Sequence, residues 1–205
     1  MYGVLKSTTN TGLDSELQYV FSTPLNVFSN QPAFVSDTMS LKRKTNSQKV
    51  QRWEVSAQIM QTNDSPNFLI HSVKNGLDTV FPLRMPQVYT PVKITQTLSL
   101  TMTSQRLKGI SLLDISGLGS VNLEGQFISF SSNTKVYLVT GKGNGSGGGV
   151  EIFPPLLVTI SSGTVIKYGD SVTMYARYDT DTQLGIAYDD GVLSNCGTVK
   201  FIEAL

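Results

Sequence analysis

The second half of the chain consists of short apolar segments that alternate with polar residues and end at turn-forming residues. After Pro91 these segments read TLSLTM, GQFISF, KVYLV, GVEIFPPLLVTI, TVIKYG and SVTMYARYD, and each is bounded by Gly, Ser, Asn or Asp. Alternation at every second residue is typical of strands with one buried face. Five or six strands within about 85 residues predict a small β-barrel or sandwich without helices.

The first half also contains strand patterns. Residues 52–59, RWEVSAQI, carry an apolar side chain at every second position, and residues 39–41 alternate in the same way. The polar stretch at residues 45–47 has the chemistry of a turn. We therefore predict a long hairpin over residues 39–60 with one buried face.

One segment has a helical pattern instead. Residues 66–75 follow Ser65 as a cap, begin with Pro66, carry apolar residues four apart and are followed by Gly76. A capping residue, a proline in the first turn and a glycine after the end all favour a helix. The predicted fold class is therefore mainly β with this single helix.

A glycine-rich stretch, NGSGGG at residues 144–149, lies between two of the strand patterns. A phosphate-binding loop needs a lysine after the glycines and a helix that begins there, whereas here a strand pattern containing Glu151 follows. A domain linker is the other alternative, but the two flanking strand patterns have similar lengths. The stretch therefore predicts the tip of a β-hairpin.

The side chains that carry most enzyme and metal chemistry are scarce. His71 is the one histidine and Cys196 the one cysteine, which leaves no basis for a histidine-rich metal site or a Ser-His-Asp triad. The aspartates of residues 179–190 do not have the spacing of a calcium loop. No apolar run is long enough to cross a membrane. We predict no catalytic residue, no cofactor, no metal site and no membrane anchoring.

The charge pattern favours association with other proteins. Charged residues make up 15% of the chain, against about 25% in an average soluble domain, and the net charge is +1. Five cations cluster on the predicted hairpin, namely Lys42, Arg43, Lys44, Lys49 and Arg52. We predict that they lie at contacts between subunits and face acidic side chains, namely Asp179, Asp181, Asp189 and Asp190. The alternative is that they only keep an exposed strand edge solvated.

Three strand motifs follow one another in the second half. They are GQFISF at residues 125–130, KVYLV at residues 135–139 and IFPPL at residues 152–156, and the glycine stretch separates the last two. This succession resembles the distal tail proteins of long-tailed siphophages, the tail-tip hub family. The resemblance covers the C-terminal half, which ends in YDDGVLSNCGTVKFIEAL, and the first half is similar only in architecture.

The resemblance implies two domains and a place in a virion. Residues 1–95 with 186–205 would form a tail-tube-like β-sandwich with one helix, and residues 96–185 an OB-like small β-barrel. Such proteins form a homohexameric ring at the distal end of the tail tube, join it to the tail-tip and baseplate hub proteins, and line the DNA exit channel. The implied location is the tail tip of the virion, assembled in the host cytoplasm. DNA would be a partner only in transit, and contact with a cell-surface glycan stays open.

A second class of function also fits a small barrel. OB-type modules bind single-stranded nucleic acid or oligosaccharide through a basic face that carries aromatic side chains. The aromatic candidates are Phe127, Phe130, Tyr137, Tyr168, Tyr175 and Tyr178. The cations between residues 120 and 180 stand among acids and are few, namely Lys135, Lys142, Lys167 and Arg177. Because this charge attracts phosphates only weakly, the ring subunit is the favoured function.

Overall fold

The computed structural model describes residues 4–7, 17–37, 43–47, 50–59, 80–86, 99–118, 122–142, 149–179, 187–189, 192–195 and 198–205. In these ranges every regular element is a strand apart from one 3-10 turn at Gly169–Ser171. The prediction of a mainly β chain is confirmed. The predicted helix over residues 66–75 lies outside the described residues.

Sixteen strands follow one another along the described ranges. They are β1 (Val4–Ser7), β2 (Leu17–Asn30), β3 (Ala33–Asp37), β4 (Arg43–Ser47), β5 (Arg52–Ile59), β6 (Phe81–Arg84), β7 (Leu100–Met102), β8 (Leu112–Ser116), β9 (Phe127–Phe130), β10 (Val136–Lys142), β11 (Gly149–Phe153), β12 (Val165–Tyr168), β13 (Thr173–Tyr178), β14 (Ala187–Asp189), β15 (Val192–Asn195) and β16 (Thr198–Glu203).

Six of the strands close into a first barrel in the order β1-β2-β5-β16-β13-β6. The barrel closes because β1 pairs with both β2 and β6, and every pairing in it is antiparallel. The resemblance implies a sandwich for this part of the chain, whereas the sheet of the structure closes on itself. In a closed barrel every strand has a neighbour on both sides. In a sandwich, by contrast, the outermost strands of each sheet have an open edge.

A second closed barrel has the order β10-β11-β8-β7-β12-β9. Its strands β10 and β11 pair antiparallel from Leu138 and Phe153 to Lys142 and Val150. They flank the glycine-rich stretch, so the interpretation of these flanks as the two arms of a hairpin is confirmed. The tip itself, residues 143–148, lies outside the described ranges.

The chain leaves the first barrel after β6, builds the second barrel and then returns. The implied domain boundary places residues 173–178 in the second unit, but β13 pairs with β6 and β16 and is a strand of the first barrel. The last strand of the second barrel is β12. The final strand, β16, pairs with β5 and β13. The apolar side of β13 fills the first barrel, and this side decides where the strand lies.

The pairing in the predicted hairpin over residues 39–60 is wrong. Residues 45–47, interpreted as a turn, belong to β4 and pair with residues 33–35 of β3. The strand β5 pairs with β2 and β16 instead. The strands β3 and β4 form a two-stranded sheet of their own, here called the ribbon. The described side chains of the ribbon, at residues 33, 35–37 and 43, are exposed, so the sequence lacks the apolar alternation by which a half-buried strand is recognised.

Each barrel is filled by the inward side of its strands. In β5 the alternation predicted from the sequence is confirmed for Trp53, Val55 and Ala57, which are buried. The largest side chains at the two centres include Phe201 in the first barrel and Tyr168 in the second. Burying a large apolar side chain contributes about 1.5–3 kcal/mol, so the buried side chains inside the two barrels account for much of the stability of the barrels.

Candidate functional site at the junction of the two barrels

The first four residues of β10, Val136–Val139, are buried or half-buried on both faces of the strand, whereas Thr140 and Lys142 near its end are exposed. Tyr137 and Val139 belong to the core of the second barrel, whereas Val136 and Leu138, which point to the opposite face, pack against the core of the first barrel. Strands of a barrel normally have one face in contact with solvent. The first barrel therefore covers the outside of the second along β10.

Trp53 is the apolar centre of this junction. It lies at the start of β5, and its ring makes edge-to-face contacts with Phe127 at 5.2 Å and Phe153 at 6.3 Å between ring centroids. The indole Nε1 donates a hydrogen bond of 2.8 Å to the carbonyl oxygen of Val136. One side chain of the first barrel thus contacts three strands of the second, β9, β10 and β11.

A buried ion pair lies beside Trp53. Lys135 precedes β10, Glu203 ends β16, and their side chains are only 3% and 0% exposed. The Lys135 Nζ contacts Glu203 Oε2 and donates to the carbonyl oxygen of Gln51 at 2.9 Å and to Gln51 Oε1 at 2.8 Å. The ammonium therefore has a partner for each of its three protons, and all three partners belong to the first barrel.

Glu203 also binds the backbone of both barrels. Its Oε1 accepts from Val136 N at 3.0 Å, and its Oε2 accepts from Trp53 N at 3.2 Å. The carboxylate thus satisfies an amide at the start of β10 and another in β5. A buried amide without a partner costs about 1–3 kcal/mol, so Glu203 determines how the two strands sit against each other.

Burial dominates the electrostatics of the pair. Removal from water lowers the pKa of Lys135 below its usual 10.5, although the charge of Glu203 and its hydrogen bond act in the opposite direction. The nearby Arg52 lowers it further. The hydrogen bonds of the pair therefore fix the geometry of the junction, whereas the attraction between the two charges adds no large net stabilisation.

This arrangement suits mechanical coupling better than chemistry. The Lys135 amine is enclosed and has all its protons engaged, so no substrate can reach it as a nucleophile. Among the described residues no group of three or more His, Cys, Asp or Glu side chains could hold a metal ion. In the same residues no helix is long and apolar enough to cross a membrane. What the junction can do is hold two barrels in one fixed orientation.

The five cations predicted at subunit contacts are only partly described. Arg43 and Arg52 are exposed, and Arg43 Nε lies 3.6 Å from Asp37 Oδ1, within a pair whose side chains are 72% and 62% exposed. For Lys44 only the backbone is described, and it pairs with Ser36 of β3. Lys42 and Lys49 lie outside the described residues. The structure places Arg43 and Lys44 on the ribbon and Arg52 at the start of β5.

The acidic residues predicted to face these cations are described less fully. Asp179 follows β13, and its backbone amide donates to the carbonyl oxygen of Lys200 at 3.0 Å. Asp189 is the last residue of β14. Asp181 and Asp190 lie outside the described ranges.

The residues suggested for an OB-type binding face lie mostly in the interior. Phe130, Tyr137, Tyr168 and Tyr178 are buried, and Phe127 packs against Trp53. Lys135, counted from the sequence as a surface cation, is buried at the junction. Tyr175 is the exception at 43% exposed, and it belongs to the first barrel.

The sequence does not reveal the buried pair, because its two members are far apart in the chain. Lys135 and Glu203 are separated by 68 residues, and each stands beside an apolar strand pattern as an ordinary end residue would. Only the topology that brings the start of β10 to the end of β16 makes them neighbours.

No protein-family model matches the chain, and no curated protein matches it.

Proposed function

We propose that this chain is a structural virion protein of a bacteriophage. In this proposal it forms a ring, a homohexamer, at the distal end of the tail tube and joins the tube to the tail-tip and baseplate proteins. The ring lines the DNA exit channel, and DNA passes through it only in transit. The first barrel takes the place of the tail-tube-like unit, and the second barrel takes the place of the OB-like unit.

The observation that carries the proposal is the ribbon. Val35 is 51% exposed and its neighbour Ser36 is also exposed, although neighbouring residues of a strand point to opposite faces. Among the described residues, therefore, neither face of the ribbon is covered at this position. An isolated two-stranded sheet is marginally stable in water, and its open edges accept further strands. Association with another subunit would supply the missing cover.

The junction supports the same function in a second way. A ring that transmits position from the tube to the tip needs subunits whose parts do not rotate against each other. Trp53 and the Lys135–Glu203 pair fix one barrel on the other through apolar packing and buried hydrogen bonds. A rigid subunit loses less conformational freedom on assembly, which favours ring formation.

The composition and the strand motifs also favour this proposal. The chain has a net charge of +1, so subunits do not repel each other strongly. The motifs that resemble distal tail proteins, at residues 125–130, 135–139 and 152–156, map onto β9, β10 and the segment that begins in β11. These are the three strands that contact Trp53. The OB-type binding module gains no comparable support, because most of its aromatic candidates are buried.

Reversing the charges of Arg43 and Lys44 of β4, together with Lys42 directly before them in the sequence, tests the proposal. The variant Lys42→Glu/Arg43→Glu/Lys44→Glu should fold as the wild type does, because the exposed pair of Arg43 and Asp37 contributes at most about 1 kcal/mol. It should fail to assemble, since the reversed charges meet like charges at the subunit contact. Light scattering coupled to size exclusion measures the mass over a range of protein concentrations.

A control with the same change of charge separates the interface from a general effect. Lys108, Lys142 and Lys167 are exposed on the second barrel, and their replacement by Glu should leave assembly intact. Wild-type assembly of the ribbon variant, or equal loss of assembly in the control, would show that the ribbon cations are not an interface.

A further inference from the structure

The amine of Lys135 lies against a side-chain amide as well as against the carboxylate of Glu203. Its Nζ donates to both oxygens of Gln51, to the backbone carbonyl at 2.9 Å and to the side-chain Oε1 at 2.8 Å. Because an ammonium group only donates, the Gln51 amide presents its oxygen to Lys135 and turns its nitrogen away. That nitrogen, Nε2, is buried and has no hydrogen-bond partner among the described residues.

An amine, an amide and a carboxylate therefore meet in the interior of the junction. Gln51 is buried like the side chains of Lys135 and Glu203. Burial lowers the pKa of Lys135, which favours the neutral and nucleophilic form of its amine. Glu203 Oε2, in contact with Nζ, is placed to accept a proton from it. Burial also excludes the water that would compete with the amine for the amide carbon.

We propose that Lys135 and Gln51 react to form an intramolecular isopeptide bond. Glu203 takes a first proton from Nζ, and the lone pair of the nitrogen attacks Cδ of Gln51 while the carbonyl electrons move to Oε1. Glu203 passes this proton to Nε2, and the Cδ–Nε2 bond breaks as the carbonyl forms again, so that Nε2 leaves as ammonia. A second proton from Nζ converts the ammonia to ammonium, and the third stays on the new amide. Atoms and charge balance without an oxidant or a reductant.

The reaction needs no substrate from solvent, because the acyl group belongs to the same chain as the amine. Holding two reacting groups in place corresponds to an effective molarity of about 10⁵–10⁸ M, which offsets the low reactivity of an amide. An ion pair that serves packing alone explains the contact of Lys135 with Glu203, but it gives no reason to bury an amide nitrogen without a partner. The bond joins the residue before β5 to the residue before β10 and ties the two barrels together covalently. The inference does not rest on the proposed ring.

Mass spectrometry of the full chain tests the inference. The folded chain, followed until its mass is constant, should weigh less than its sequence by one ammonia molecule. A tryptic digest should contain residues 50–52 joined to residues 109–142, because trypsin does not cleave after an acylated lysine. The variants Lys135→Met, Gln51→Met and Glu203→Gln, which lack the nucleophile, the acyl group and the proton acceptor, should keep the full mass of their sequences. Circular dichroism checks that each variant folds, and the result for the wild type stands without them.

The matched control is Gln126→Met, which removes the other buried glutamine of the described residues and should still lose ammonia and give the linked peptide. The Asn–Gly sequences at residues 75–76 and 144–145 can also lose ammonia by cyclisation, so the linked peptide decides the outcome. A wild-type chain that keeps its full mass, or one that loses ammonia without giving the linked peptide, would overturn the inference. The linked peptide in folded Glu203→Gln would overturn the role of Glu203. A chain that forms the bond but assembles into no ring would refute the proposed function alone.

Discussion

Replacing Lys135 by methionine should destabilise the chain far more than its position outside a strand suggests. Methionine keeps most of the apolar stem but removes the ammonium, which leaves the Glu203 carboxylate buried with only the amides of Trp53 and Val136 as donors. It also takes the donor away from two oxygens of Gln51. Breaking a buried pair from one side costs about 3–5 kcal/mol. For a chain of 205 residues this corresponds to a loss of roughly 6–20 °C in Tm.

The measurement can use a built-in reporter, because Trp53 is the one tryptophan of the chain and lies at the junction. Its emission reports opening of the junction, while far-ultraviolet circular dichroism reports loss of strands. In Lys135→Met we expect the Trp53 emission to shift to the red at a lower urea concentration than the dichroism transition. In the wild type the two transitions should coincide, as expected if the barrels unfold together.

The matched control is Arg106→Met. Arg106 pairs with Asp114 in the second barrel, but the two side chains are 27% and 38% exposed. A pair at this exposure contributes about 0–1 kcal/mol, so the control should change Tm by only a few degrees. In the double variant Lys135→Met/Glu203→Gln the loss should be smaller than the sum of the single losses by about 1–3 kcal/mol. A cost below about 1 kcal/mol for Lys135→Met, or additive losses in the cycle, would refute the reasoning.

Three further predictions follow from single contacts. Tyr137→Phe should cost about 1 kcal/mol in a urea titration, because its hydroxyl accepts from Leu157 N at 3.1 Å; an unchanged midpoint would contradict this. Gly117→Ala should lower the free energy of unfolding more than Gly163→Ala does. Both glycines have a positive φ, +84° and +78°, but only at Gly117 would an added Cβ approach a backbone oxygen, that of Ser99, to 2.9 Å. Equal losses of stability in the two variants would show that this contact does not matter. Burial lowers the pKa of Lys135, so the folded chain releases this proton at a lower pH than the unfolded chain, which titrates near 10.5. Between these values the unfolded chain binds more protons, and the free energy of unfolding should rise with pH in the wild type by a contribution that Lys135→Met lacks.

Local patterns predicted the strands well where one face is buried. The residues of β5 alternate between buried and polar, and the flanks of the glycine stretch pair as a hairpin, because each pattern depends on contacts within a few residues or across one turn. The ribbon was predicted incorrectly for the opposite reason. With exposed side chains at successive positions of β3, its sequence has no alternation to reveal a strand, and polar residues 45–47 resemble a turn.

The junction could not be predicted because its parts have no local signature. The apolar run VYLV at the start of β10 is compatible with any strand buried on two faces, and only the topology shows that its second face meets the first barrel. Tyr175 is a different case. Alternation along β13 places Tyr175 on the same side as Thr173 and Arg177, and Tyr178 on the same side as Met174 and Ala176, so the sequence pattern alone distinguishes the exposed tyrosine from the buried one.

Electron microscopy of virions tests the central claim most directly. Particles that contain the chain, identified by mass spectrometry, would be labelled with a gold-conjugated antibody raised against it. We expect gold at the distal end of the tail and, in the averaged density, a ring whose volume fits six copies of the 22.3 kDa chain. Gold on the capsid or along the whole tail shaft, or absence of the chain from purified virions, would contradict the account.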